Sequence, residues 1–89
     1  MKVNVLYFAS LREQLGRGSE AIELPAGVAT LAGLRAHLCE RGGAWVTSLA
    51  EGRAVRVAVN QDMLPRGEAG NAPIKAGDEI AFFPPVTGG

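Results

Sequence analysis

The sequence predicts an α+β fold, a mixed sheet with one long helix packed on one face. Three observations carry this expectation. Val3, Val5 and Tyr7 alternate with Lys2, Asn4, Leu6 and Phe8, the period of two that side chains follow along a strand. Leu31, Leu34 and Leu38 recur at helical spacing, which gathers them on one side of a helix. The last apolar run, Glu79 to Phe83, stops at Pro84 and Pro85, which cannot donate ladder hydrogen bonds.

After the first strand, Ser10 precedes Leu11 to Leu15, with Glu13 three residues on. That is the pattern of an N-cap and capping box, and Gly16 is suited to close the turn, so a helix of one to two turns is expected. Glu20 to Leu24 alternates again and ends at Pro25-Ala26-Gly27. So short a connection predicts that the first two strands are antiparallel neighbours. Thr30 is the N-cap of the long helix, and Gly42-Gly43 end it, with Arg41 near the negative end of its dipole. Gly33 inside that helix costs about 1 kcal/mol against alanine, and tight packing on the sheet is the reason expected for it.

Ala44 to Leu49 reads as a further short helical turn with Trp45 and Leu49 inward. Val55, Val57 and Val59 form a third strand, and Asn60-Gln61-Asp62 a turn. Met63-Leu64 reads as a short strand before Pro65-Arg66-Gly67, and residues 67–73 as a loop. Ala76-Gly77-Asp78 is the turn into the last strand. The first and last strands are apolar enough to be central. Adjacent and parallel, they would be joined by the long crossover that parallel strands need. This is a β-grasp, ubiquitin-like arrangement, expected over residues 1–84, with residues 85–89 a flexible tail.

At 89 residues the chain is one domain, and one this short buries only about 60–65% of the surface of its unfolded form. Basic and acidic residues balance at nine each. The arginines (Arg12, Arg17, Arg35, Arg41, Arg53, Arg56 and Arg66) are scattered among acids rather than gathered in a stripe, which argues against nucleic acid and a membrane surface as partners. Cys39 is alone, so no internal disulfide is expected, which fits a reducing compartment. No apolar run approaches a membrane span of about 18 residues, and the alternating N-terminus is unlike a signal peptide. A cytoplasmic protein is expected.

One helix covers one face of a sheet. The core face is expected to carry Val3, Val5, Tyr7, Val55, Val57, Val59, Ile80 and Phe82. Strand parity then places Leu6, Phe8, Ala58, Ala81 and Phe83 on the other face. An open sheet normally shows polar residues there, and a contiguous apolar patch marks a protein interface. Met63 extends the patch, methionine being suited to adaptable contacts. Cover by the short helix or a loop is the competing reading.

The chain ends Pro84-Pro85-Val86-Thr87-Gly88-Gly89. The prolines favour an extended stalk. The glycines leave the terminal carbonyl unobstructed and let the tail enter a narrow tunnel. An α-carboxylate, with a reference pKa of about 3.3–3.7, is ionised at neutral pH and inert to nucleophiles until activated. Adenylation by ATP would make it a mixed anhydride, from which a sulfur nucleophile displaces AMP to leave a thiocarboxylate. The terminal carboxylate is therefore the expected working group.

The tail from Gly77 through Gly89, Tyr7-Phe8-Ala9 with Leu11-Arg12-Glu13, and Val59-Asn60-Gln61 together resemble the small-subunit family of molybdopterin synthases, the MoaD family of ubiquitin-like sulfur carriers. The resemblance covers the whole chain. Ile80 stands where valine is common, and Thr87 where serine is also common. The resemblance implies a β-grasp fold and a thiocarboxylate on Gly89, reached through an acyl-adenylate. It implies no bound cofactor, with ATP used by a partner. That partner would be an adenylyltransferase of the ubiquitin-activating type, and a sulfurtransferase would supply the sulfur. The tail, Pro84 to Gly89, would insert into the large, catalytic subunit of the synthase, where the sulfur builds the dithiolene of molybdopterin from cyclic pyranopterin monophosphate. The chain would then be no enzyme on its own, but an accessory subunit in a heterotetramer of two large and two small subunits. The apolar positions Phe8, Met63 and Phe83 match that family's interface. A related carrier serving thiamine, cysteine or tRNA thiolation, and a ubiquitin-like module with no covalent chemistry, are the alternatives.

Other residues read as structural. Cys39 is expected as a small half-buried apolar residue, His37 as a solvated one without a second metal ligand, and Trp45 as packing. Asp78 and Glu79 are adjacent in a turn and strand start, so they point apart and form no catalytic pair. No metal motif is present.

Overall fold

The computed structural model describes residues 1–49, 55–65 and 71–84. Along the chain run β1 (Lys2–Tyr7), α1 (Ala9–Leu15), β2 (Ser19–Glu23), α2 (Leu31–Cys39), α3 (Ala44–Leu49), β3 (Arg56–Val59), β4 (Asp62–Met63) and β5 (Glu79–Phe83). The strands form one mixed sheet in the order β2-β1-β5-β3-β4. β1 and β5 pair in parallel at its centre, and the other pairs are antiparallel. This is the β-grasp topology that the element order predicts.

Alternation along the strands builds the core. Val3, Val5, Tyr7, Val57, Ile80 and Phe82 are buried on one face. Leu31, Leu34 and Leu38, one stripe of α2, pack into the same cluster. Leu11 and Leu15 of α1 and Leu49 of α3 join it, while Val55, Val59 and Trp45 lie partly buried at its margin. Three helices therefore serve this face where the sequence predicts one long helix. At nine residues, α2 is too short to cover five strands, and the two flanking helices bury what it leaves. Truncating a leucine such as Leu34 in so small a core costs about 2–5 kcal/mol.

Local expectations hold in part. Thr30 caps α2, its hydroxyl accepting from the Gly33 N–H at 3.2 Å. Gly16 closes α1 in a left-handed conformation, φ 76°, and its N–H donates to Arg12 O. Ser10 is not the N-cap of α1. The helix starts at Ala9, Phe8 occupies the cap position, and no side chain caps it. The start is fixed instead by the Phe8 N–H donating to Phe82 O at 3.1 Å, which ties the end of β1 to β5, and by a left-handed Ala9, φ 53°.

Packing on the sheet does not account for Gly33. A Cβ there would meet Val28 Cγ1 at 3.0 Å and Thr30 Oγ1 at 3.4 Å, so the glycine makes room for the loop and hydroxyl that cap its own helix. Arg41, just past the end of α2, binds Glu20 with its guanidinium. The short strand at the hairpin is Asp62–Met63 rather than Met63-Leu64. Of the expected 67–73 loop, residues 71–73 are described, and Pro73 bridges to Thr30. Pro85, Val86, Thr87, Gly88 and Gly89 lie outside the described residues.

Candidate functional site: the outer face of the sheet

The helices leave one face of the sheet uncovered, and the register shows what stands on it. Leu6 lies opposite Ala81, Ala81 opposite Ala58, and Ala58 opposite Met63. These four residues form an apolar row across four strands. Ala58 and Ala81 are buried yet separate from the core cluster. A second row, one strand period nearer the end of β5, holds Phe8, Phe83 and Arg56. Phe8 and Phe83 stack with ring centroids 4.7 Å apart and planes at 6°.

Two large apolar residues of this face are open to solvent, Phe8 at 40% and Met63 at 49% exposure. Towards the other end of the strands the face turns polar, with Asn4 opposite Glu79 and Lys2 opposite Glu23. The apolar half is therefore the half from which β5 runs on into Pro84 and the tail. A patch with a flat aromatic centre and exposed apolar flanks is suited to bury against another protein.

Behind the aromatic pair, on the core side, sits a polar cluster. The Tyr7 hydroxyl donates to Glu20 Oε2 at 2.8 Å. Arg41 binds the same carboxylate with both terminal nitrogens at 2.8 Å, and Arg17 adds a bond of 3.0 Å. The Arg41 guanidinium lies 4.4 Å from the centre of the Trp45 ring, which meets Tyr7 edge-on at 5.5 Å. Burial pushes the Glu20 carboxyl up, but the bonds from Arg41 and Tyr7 outweigh it and hold the group below the usual carboxylate range. Burial, reinforced by the bond to Glu20, pushes the Tyr7 hydroxyl well above the ordinary tyrosine value. The cluster joins β1, β2 and the segment after α2, and so braces the strand that carries Phe8.

A second brace fixes the start of β5. Asp78 is buried and accepts from Asn60 Nδ2 at 3.0 Å and from the Lys75 N–H at 2.8 Å. Asn60 Oδ1 accepts in turn from the Glu79 N–H at 3.0 Å. The bond from Asn60 holds the Asp78 carboxyl below its ordinary range against the opposing effect of burial. Among the described residues, no group of three His, Cys, Asp or Glu is placed to hold a metal ion, and no helix is long and apolar enough to cross a membrane.

Residues 5–89 match the ThiS family model. The chain belongs to the ThiS family. A molybdopterin synthase sulfur carrier subunit from Haemophilus influenzae is 46% identical over 87 residues, which span 98% of this chain and 99% of that protein. One from Escherichia coli is 39% identical over the same share of each. Among solved structures, a protein–protein complex of subunits 1 and 2 of the molybdopterin-converting factor from Helicobacter pylori contains a chain with 28% identity and a TM-score of 0.66, each chain being fully covered.

In this ThiS-family chain the structure brings Phe8, Met63 and Phe83 together on one face, with Pro84 directly after Phe83. The remaining candidates, Pro85 to Gly89, fall outside the described residues. Trp45 is packing, and Cys39 lies half-buried with Sγ 3.6 Å from Trp45 O. Sequence reading missed both braces and Arg56. The bonds of Tyr7 and Arg41 to Glu20 and of Asn60 to Asp78 join residues 13 to 21 positions apart, beyond the range of any local pattern. A usable signal for the second was Asn60, since asparagine before a short strand favours the left-handed turn observed there, φ 51°.

Proposed function

We propose that this chain is the sulfur carrier subunit of a molybdopterin synthase, with the Gly89 carboxylate as its working group. The observation that carries the reading is the placement of the Phe8–Phe83 stack beside the start of the tail, at the end of β5. Phe83 of the docking surface and the reactive end then lie on one stretch of chain. The ThiS-family match, which runs to residue 89, supports it.

In this reading an adenylyltransferase of the ubiquitin-activating type joins the Gly89 carboxylate to the α-phosphate of ATP, and pyrophosphate leaves. Sulfur supplied by a sulfurtransferase as a persulfide attacks the acyl carbon, and the bond to AMP breaks. A thiol then cleaves the resulting acyl disulfide and is itself oxidised to a disulfide, leaving the thiocarboxylate. The carrier docks its outer face on the large subunit, which holds the catalytic residues. Pro84 and Pro85 direct Val86, Thr87, Gly88 and Gly89 into that active site. Sulfur then passes to cyclic pyranopterin monophosphate towards the dithiolene. No cofactor binds the carrier itself. Two carriers and two large subunits form the assembly, and the work is done in the cytoplasm.

The test is intact mass of the carrier after incubation with the adenylyltransferase, ATP and a sulfur donor. One oxygen replaced by sulfur at the C-terminus is expected. Deleting Gly89 is expected to abolish transfer while the domain stays folded. Normal pterin conversion with the deletion variant would overturn the reading.

A further inference from the structure

Arg56 is the one described cation within the apolar half of the outer face. It opens β3, shares a side with Ala58 and lies opposite Phe83. Its Nε is shut off from solvent and has no hydrogen-bond partner among the described residues, although the residue as a whole remains partly exposed. A guanidinium carries N–H donors and no acceptor, so only an acceptor can satisfy it. A donor withdrawn from water without one lowers stability.

Among the described residues the neighbourhood offers no such acceptor from a side chain. Phe83 stands opposite, Phe8 lies beyond it, Ala58 is two residues along the strand, and Met63 faces Ala58. The described acids on these strands are elsewhere. Glu79 is at the far end of β5 beside Asn4, and Asp62 pairs with Val59, whose side is the core side. A cation thus stands at the edge of an apolar patch with part of its hydrogen-bonding capacity unused.

We propose that Arg56 is a charged anchor in the docking face, and that a carboxylate of the large subunit seats against its guanidinium when the subunits join. This rests on the reading above, that the outer face receives a large subunit. A carboxylate is the matching chemistry, because its two oxygens fit the planar fork of arginine. Closure of the apolar patch removes water from around the pair, which strengthens the attraction and makes loss of one member costly. The anchor also selects. A partner that presents an apolar or basic group at this point leaves the guanidinium desolvated and unpaired.

The test titrates purified large subunit into the wild-type carrier and into Arg56→Met, Arg56→Lys and Arg56→Glu, at low and high salt, with thermal unfolding of each carrier alone. Arg56→Met removes the unsatisfied donor, so it is expected to unfold at the same temperature or higher. It is expected to bind roughly tenfold or more weakly, with a flatter dependence on salt. Arg56→Lys is expected to keep part of the affinity, and Arg56→Glu to bind more weakly than Arg56→Met. Arg56→Met binding as tightly as wild type, or Arg56→Glu binding as tightly as Arg56→Lys, would overturn the anchor. The second comparison decides even where Arg56→Met fails to fold. Phe83→Ala separates the two readings. If it weakens binding while Arg56→Met does not, the anchor falls and the docking face stands. If the wild-type carrier does not bind the large subunit, both fall.

Discussion

Phe8 and Phe83 lie side by side at the ends of two parallel strands, their rings stacked at 4.7 Å on the outer face. Directly behind them, on the core face, Tyr7 and Phe82 form a second near-parallel pair, 6.1 Å apart and 10° from coplanar. The two layers share one cause. Parallel pairing puts Tyr7 opposite Phe82, and the alternation of strand side chains sends the next residue of each strand to the other side. The inner pair holds the backbone that presents the outer one.

Phe8→Ala and Phe83→Ala are each expected to weaken binding to the large subunit with little effect on folding, because Phe8 is substantially exposed in the free protein. The two substitutions should not add. Stacked rings contribute about 0.5–1.5 kcal/mol beyond the area they bury, so a double-mutant cycle by calorimetry should return a coupling of that size. Unchanged affinity in either single variant would remove the patch from the interface.

Asn60→Ala should destabilise the fold by about 1–3 kcal/mol, because it leaves the buried Asp78 carboxylate short of a donor and the Glu79 N–H short of an acceptor. Asn60→Asp tolerates the same left-handed turn but sets a second carboxylate against Asp78, and is expected to be worse. Urea denaturation of the two variants checks the order. A loss for Asn60→Ala as large as that for Asn60→Asp would mean that charge against Asp78 is not the issue.

Stability should fall at both extremes of pH. The carboxyls of Glu20 and Asp78 are held below their ordinary range in the folded state. The folded protein therefore binds fewer protons than the unfolded chain in acid. Their contribution is complete above the unfolded values of about 4 and is lost as pH drops below them. Tyr7 runs the other way. Its hydroxyl is raised, so its contribution is complete below about pH 10 and is lost as pH rises beyond that. Denaturation across pH should show both limbs. Glu20→Gln should flatten the acid limb and Tyr7→Phe the alkaline one, and an unchanged profile in either variant would contradict the assignment.

Ala9 sits at φ 53°, a left-handed conformation that costs a non-glycine residue about 1–2 kcal/mol. Ala9→Gly removes that strain but frees the unfolded chain, an offset of up to about 1 kcal/mol. The expected net change runs from zero to a gain of about 1 kcal/mol. Ala9→Ile should lose at least 1 kcal/mol, since a β-branched residue tolerates this conformation poorly. Thermal unfolding of the pair would show the order reversed if the turn had opened to an ordinary conformation.

The legible parts of the fold are those written in local periodicity. Val3, Val5 and Tyr7 declare their face by alternation, Leu31, Leu34 and Leu38 by helical spacing, and Thr30 by its place before that stripe. The outer patch was legible for the same reason, because parity assigns Leu6, Phe8, Ala81 and Phe83 together once their neighbours are assigned to the core. Ser10 misled because a capping pattern in sequence competes with a backbone bond from Phe8 to Phe82, which only the tertiary fold supplies. Glu20, Arg41 and Trp45 gave no signal, since what unites them is a shared neighbour in Tyr7 rather than spacing. Arg56 looked like any other scattered arginine until the register set it opposite Phe83.

β5 is hydrogen-bonded on both sides, by β1 in parallel and β3 antiparallel. Traction on its C-terminal end is therefore borne in shear, with the bonds of two ladders loaded together instead of opening one at a time like a zipper. A chain drawn from an edge strand would peel. Drawn from the middle of this sheet, it resists, so a partner can pull on the last residues without unravelling the body that delivers them.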